Sequence, residues 1–241
     1  MQVVEICINT DQKADLRERI EQVYLAGAQR IELCASMAEE GLTPDPQSIA
    51  IARKAFADRA GVLVMIRPRA GDFYYTQAEI QRMQQQISCA AQAGANGVVI
   101  GILDGMTQGF NLPAMRLVIQ QARELGLQVS CHRAFDAVAD KALALQQLLE
   151  LGVDRLLTTG GIWGDGRSAI ENINGLQQLI SVAATQIEIV IAGGVNANMI
   201  SELQSQLQLS DSRVSYHAYS GALINHQLNP DAVQAMVNGV S

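Results

Sequence analysis

Apolar and polar residues alternate with period two along parts of this chain, and segments with a period near 3.6 separate those parts. Extended, apolar-rich runs occupy positions 3–8, 30–34, 62–66, 97–103, 128–132, 155–159, 187–192 and 214–219. Between them, apolar residues recur on one helical stripe. In 11–26 the stripe is Leu16, Ile20, Val23 and Tyr24; in 77–93 it is Ile80, Met83, Ile87 and Ala90/Ala91, with Thr76 as N-cap. Positions 112–125, 140–151, 172–184 and 196–207 follow the same rule. A glycine closes a helical pattern and introduces a strand at Gly27, Gly61, Gly94, Gly126 and Gly152, every 26–34 residues. Each is expected in the left-handed conformation of a helix C-cap. Strands alternating with helices at this period predict parallel pairing. Eight units in 241 residues predict one α/β domain over 1–241, a single (β/α)8 TIM barrel. The alternative is a doubly wound open sheet, but no GxGxxG follows the first strand, and no nucleotide cofactor is indicated.

Strand parity then sorts the side chains. Val4, Ile6 and Ile8 should meet the helices, which turns Glu5, Cys7 and Asn9 into the barrel. Likewise Ile31 and Leu33 point outward, and Glu32 and Cys34 inward. Val64 and Ile66 leave Met65, Arg67 and Arg69 inside. Ser130 with His132, and Ser215 with His217, share faces of the fifth and eighth strands. These polar residues lie toward the C-terminal strand ends, where barrel enzymes carry their sites. A buried Glu–Arg pair alone is weak evidence of function. Two acids, two arginines and two histidines converging on one mouth favour a site.

Composition narrows the partners. A net charge of -7 with no run of Lys or Arg argues against nucleic acid. The longest apolar runs are strand-sized, so no membrane span is expected, and no basic leader precedes the first strand. A cytoplasmic protein is the expectation, with Cys7, Cys34, Cys89 and Cys131 as free thiols, since none has CxxC spacing. Cys89 and Cys131 are expected to pack. A homo-oligomer is compatible with the sequence but not specified by it.

Several motifs carry chemistry. Glu5-Ile6-Cys7 and Glu32-Leu33-Cys34 repeat one pattern on adjacent strands, placing two thiols at similar height. Such a pair suits the soft cation Cu(I), or packs as two inert small residues. In Ile66-Arg67-Pro68-Arg69-Ala70-Gly71-Asp72-Phe73, Arg67 is expected to neutralise Glu5 or Glu32, while Arg69 forks toward a carboxylate or phosphate with Asp72 close by. His132-Arg133-Ala134-Phe135-Asp136 places an imidazole near a carboxylate. Thr159-Gly160, Gly193-Gly194 and Ser220-Gly221 expose backbone amides able to grip a small anionic ligand, or only permit tight turns.

In this order, these motifs resemble the CutC copper-homeostasis family. The resemblance rests on Glu5-Ile6-Cys7, the segment Gly27 to Cys34, Glu40-Gly41-Leu42-Thr43-Pro44, Met65 to Phe73, His132 to Asp136, Leu157-Thr158-Thr159-Gly160 and Ala192-Gly193-Gly194. The family commonly has glycine where Glu40 and Ala70 stand, and His217-Ala218-Tyr219-Ser220-Gly221 matches it loosely. The resemblance implies a cytoplasmic TIM barrel linked to copper tolerance, with Cys7 and Cys34 at the family's strand-end cysteine positions.

Two readings stay open. One is a copper-homeostasis protein holding Cu(I) on Cys7 and Cys34, with Met65 or His132 assisting. The other is an enzyme acting on a small anionic metabolite. Its acid/base set would come from Glu5, Glu32, Arg67, His132 and Asp136, and its ligand contacts from Arg69, Asp72, Thr159, Gly160, Gly193, Gly194, His217 and Ser220.

Overall fold

A computed structural model describes residues 2–107 and 109–240. Eight parallel strands close into a barrel in chain order. They are β1 Val4–Asn9, β2 Arg30–Cys34, β3 Val62–Met65, β4 Gly97–Ile100, β5 Gln128–Cys131, β6 Arg155–Thr158, β7 Glu188–Ile191 and β8 Val214–Ala218. A helix follows each: α1 Leu16–Leu25, α2 Pro46–Ala55, α3 Gln77–Gln92, α4 Leu112–Glu124, α5 Lys141–Glu150, α6 Ile173–Ala183, α7 Ala197–Gln206 and α8 Pro230–Asn238. This is the predicted (β/α)8 barrel. Two short antiparallel ribbons decorate the strand ends, Leu103–Asp104 with Gly109–Phe110 and Leu223–Ile224 with Gln227–Leu228.

Two helices, α2 and α8, are not singled out by the sequence pattern, although each buries apolar residues on one face. Both open on a cap followed by proline. Asp45 accepts from the Gln47 and Ser48 amides ahead of Pro46, and Asn229 accepts from the Ala232 amide ahead of Pro230. The glycine rule holds at Gly27, Gly94, Gly126 and Gly152, with φ between +69° and +91°. Gly61 departs from it. The left-handed residue after α2 is Ala57, and Gly61 serves close approach instead, since a Cβ there would sit 2.3 Å from the Gln29 carbonyl oxygen.

The main core is the sleeve between strands and helices. Val4, Ile6, Ile8, Ile31, Leu33, Val64 and Ile66 all pack there, as parity required. Cys131 joins this sleeve, whereas Cys89, expected to pack, is exposed on α3. Inside the barrel, a sulfur-rich apolar group of Cys7, Cys34, Leu63, Met65 and Val99 lies apart from Leu157, Val190 and Ala192.

Deeper still, the barrel is ionic. Arg30 donates from Nε to Glu5 Oε2 at 3.0 Å and from Nη2 to Glu188 Oε1 at 2.6 Å and Ser215 Oγ at 2.7 Å. Arg155 donates to Ser130 Oγ and Gln128 Oε1. Arg30, overlooked in the sequence although it shares the parity of Glu32, therefore neutralises Glu5 in the place expected for Arg67. Full satisfaction of both arginine and acid makes this layer a structural plug.

Candidate functional site

Above the plug, the C-terminal strand ends enclose a cavity of about 270 Å³. Of the residues singled out in the sequence, Cys7, Cys34, Glu32, Arg67, His132 and His217 line it. Met37, Met65, Phe73, Trp163 and Tyr219 supply apolar wall, with Glu40, Arg133 and Leu157 at its sides.

Strand register creates the first cluster. Glu5 pairs with His217 across β1–β8, and Cys7 pairs with Glu32 across β1–β2. His217 Nδ1 lies 2.8 Å from Glu5 Oε1, and its Nε2 lies 3.5 Å from Glu32 Oε2. Burial opposes a charge on His217, but the Cys7 thiol and the carboxylates of Glu32 and Glu5 outweigh it and hold the ring well above the usual histidine range. Burial also opposes ionisation of Glu5, yet the His217 and Arg30 contacts bring it down to about 2. Desolvation raises Glu32 to about 8, since it has only the more distant His217 charge to lower it, and the Cys7 and Glu5 charges oppose that. Its Oε1 is buried without a hydrogen-bond partner among the described residues.

The thiols form the second cluster. Hydrogen bonding to Cys34, aided by His217, lowers the Cys7 thiol below its ordinary value, while the same contact and burial raise Cys34. Cys7 Sγ lies 3.9 Å from Met37 Sδ. Met37 sits on a short 3-10 turn, Met37–Glu39, between two non-glycine residues in left-handed backbone, Ser36 and Glu40. Asp11 grips the Ser36 amide with both carboxylate oxygens, at 2.9 and 3.0 Å. The cavity's sulfur wall is therefore held from outside the barrel. Cys7, Cys34 and Glu32 each offer a ligand atom within 4.8 Å of one another.

Arg67 and His132 form the third. The Arg67 guanidinium donates to the carbonyls of Glu39 (2.6 Å), Gly41 (3.2 Å) and Gly71 (2.7 Å), bracing two loops. Its centre lies 5.1 Å from the Phe73 ring, which in turn lies 5.0 Å from the His132 ring. His132 Nδ1 accepts from the Ala134 amide at 3.1 Å. Desolvation, helped by the Arg67 charge, lowers His132 to about 3, so the ring is neutral.

Other residues expected at the site lie elsewhere. Glu5 sits beneath the cavity in the ionic plug. Arg69 spends its fork on the chain itself, donating from Nε to Glu79 Oε1 and from Nη2 to Asp72 Oδ1, both at 2.7 Å. That pairing ties Asp72 and the α3 capping box together, outside the cavity. Asp136 is fully enclosed. It accepts from Thr158 Oγ1, from the amide and hydroxyl of Thr159 at 3.1 and 3.2 Å, and from Arg133 Nε at 2.9 Å. The β6 loop amides are spent the same way, Gly160 on Thr158 Oγ1 and Gly161 on Thr159 Oγ1. Gly193 packs on Thr159, Gly194 is exposed at the start of the β7 loop, and Ser220 is exposed beyond β8. None of these lines the cavity.

Sequence reading missed Met37, Phe73 and Trp163 as wall residues. Phe73 lay within the arginine motif, and its ring packs edge-on to Trp163 at 5.1 Å. Trp163 is the chain's one tryptophan, a signal that went unused.

The CutC family model matches residues 2–216. A CutC family protein of Vibrio campbellii is 36% identical over 214 residues, 88% of this chain and 81% of that protein. One from Parabacteroides distasonis is 38% identical over 206 residues, 85% of this chain and 78% of that protein. Among solved structures, a candidate copper-homeostasis protein CutC of Streptococcus agalactiae superposes with a TM-score of 0.76 at 28% identity, covering 90% of this chain and 98% of that one. With its strand-end cysteines and its arginine and histidine motifs set around one barrel mouth, this chain belongs to the CutC family.

Proposed function

We propose that the chain is a cytoplasmic copper-homeostasis protein that takes up Cu(I) on the thiols of Cys7 and Cys34. The observation that carries this reading is the paired sulfur cluster: two buried free thiols on adjacent strands, one with its ionisation favoured, and a thioether 3.9 Å from it. Paired soft sulfur donors suit Cu(I) better than harder divalent ions. The donor set fits the ion. Cys7 and Cys34 would hold it, with Met37 in reach, and Glu32 would stay protonated beside them. His217 stabilises the Cys7 thiolate through its charge, and the Glu5–Arg30 plug closes the floor of the barrel. Free thiols persist in a reducing compartment, which supports the cytoplasmic assignment.

The test is an anaerobic Cu(I) titration against a chromophoric chelator. The wild-type protein should compete for one equivalent of Cu(I), and the C7S/C34S double variant should not. Equal competition by both would overturn the proposal. A Zn(II) titration should show weaker retention than Cu(I), and the opposite order would also count against it.

A further inference from the structure

The copper reading leaves Arg67 and His132 without a task. Arg67 is 2% exposed and His132 3%. The Arg67 guanidinium forms no ion pair among the described residues, and three of its donor contacts go to neutral carbonyls. Its Nε has no partner of good geometry among the described residues, and the Tyr75 hydroxyl makes only a loose contact with the guanidinium. The acid that feels its charge, Asp72, is exposed and paired with Arg69, so the buried cation is incompletely compensated, and native proteins rarely leave one so.

His132 shows the same deficit. Its Nδ1 accepts from Ala134, so the neutral ring carries its proton on Nε2. That Nε2–H is buried and has no hydrogen-bond partner among the described residues. A cation without an acid partner and an unsatisfied ring donor therefore stand on side chains that line one cavity, each against the Phe73 ring. Unsatisfied buried donors in a pocket mark the place of an absent acceptor.

The charge count sets the acceptor's class. Of the other charged groups lining the cavity, His217 is paired with Glu5 beneath it, Arg133 with Asp136, and Glu40 is exposed at the rim, which leaves Arg67 as the cation without an acid partner among the described residues. A monoanion balances that one charge, whereas a phosphate dianion would bring a second beside Glu32. Met65, Leu157, Phe73 and Trp163 supply apolar wall nearby, which suits a short carbon skeleton. A cavity of about 270 Å³ limits it to a small molecule.

We infer that the cavity recognises a small organic monocarboxylate, its carboxylate held by Arg67 and the His132 Nε2–H and its carbon chain laid against Phe73 and Trp163. Arg69 and the β6 loop amides, among the anion-holding groups expected from the sequence, are occupied within the chain, and Gly193, Gly194 and Ser220 lie outside the cavity, so recognition moves inward to Arg67. This binding does not depend on copper and extends the protein's role to a metabolite.

The experiment uses butyrate as probe, with butyramide as its neutral isostere and inorganic phosphate as the dianionic control. Binding is followed on the His132 ring resonances of reduced, copper-free protein by NMR. Butyrate should shift them saturably, butyramide should bind at least about 10-fold more weakly, and phosphate should not saturate. Because the titration is run on copper-free protein, its outcome does not depend on whether Cys7 and Cys34 take up Cu(I), which separates this inference from the copper reading. R67K keeps the charge but not the guanidinium and should lose about 10-fold in butyrate affinity. Equal binding of butyrate and butyramide by the wild-type protein, no saturable shift with butyrate, or a preference for phosphate would each overturn the inference. Those outcomes are read without any variant, so a folding defect in R67K leaves the test intact.

Discussion

His217 Nδ1 lies 2.8 Å from Glu5 Oε1, across the point where the first and last barrel strands pair residue for residue. The seam that closes the barrel is thus also the electrostatic root of the site. The same imidazole reaches Glu32 and charges the environment of Cys7.

Loss of that imidazole should be costly and pH-dependent. Glu5, at about 2 against an ordinary 4.5, contributes stability that is complete above 4.5 and fades as pH falls toward 2. His217, raised above 6.5, contributes stability that is complete below 6.5 and fades as pH climbs through its raised value. The pair therefore stabilises most between 4.5 and 6.5. In that window H217Q should cost about 3 kcal/mol in urea denaturation, because it breaks a buried ion pair and leaves Glu5 with Arg30 alone. The deficit should shrink at alkaline pH. A constant deficit would mean that His217 acts only by packing.

Met37 tests the sulfur cluster. M37L nearly conserves volume and should leave stability within about 1.5 kcal/mol of wild type. It should weaken Cu(I) retention by about 10-fold if the thioether joins the two thiols. Unchanged retention would confine the copper site to Cys7 and Cys34.

Asp136 looks catalytic in the sequence but is saturated in the fold. D136N removes the charge facing Arg133 and mismatches the Thr158 and Thr159 donors. It should destabilise by about 3 kcal/mol in chemical denaturation, while Cu(I) and butyrate affinities of the folded fraction stay unchanged. Altered affinity with normal stability would return Asp136 to the site.

Gly175 opposes two effects of known size. Alanine raises helix propensity by about 1 kcal/mol. Yet a Cβ at this position of α6 would come within 2.0 Å of the Gly160 carbonyl oxygen. Because the obstacle is backbone, the clash should win, with a net loss of about 2 kcal/mol by thermal denaturation. A neutral G175A would show that the β6 loop can move away from α6.

The barrel was legible from periodicity, because burial of one strand face against helices writes itself into every second residue. Parity also identified Glu5, Cys7, Glu32, Cys34, Arg67, His132 and His217 as inward-facing, since period-two geometry is local. Partner choice was not local. Whether Arg67 or Arg30 met Glu5 depended on register between strands, which places Glu5 opposite Arg30. Whether Arg69, Asp136 and the β6 amides were free depended on loops folding back onto residues from 2 to 23 positions away. The sequence by itself determined the architecture and which side chains enter the barrel. Only the tertiary structure decided which of them are already satisfied and which, like Glu32, Arg67 and His132, keep a buried polar atom without a good partner among the described residues, because hydrogen-bond completion depends on groups brought together from distant parts of the chain.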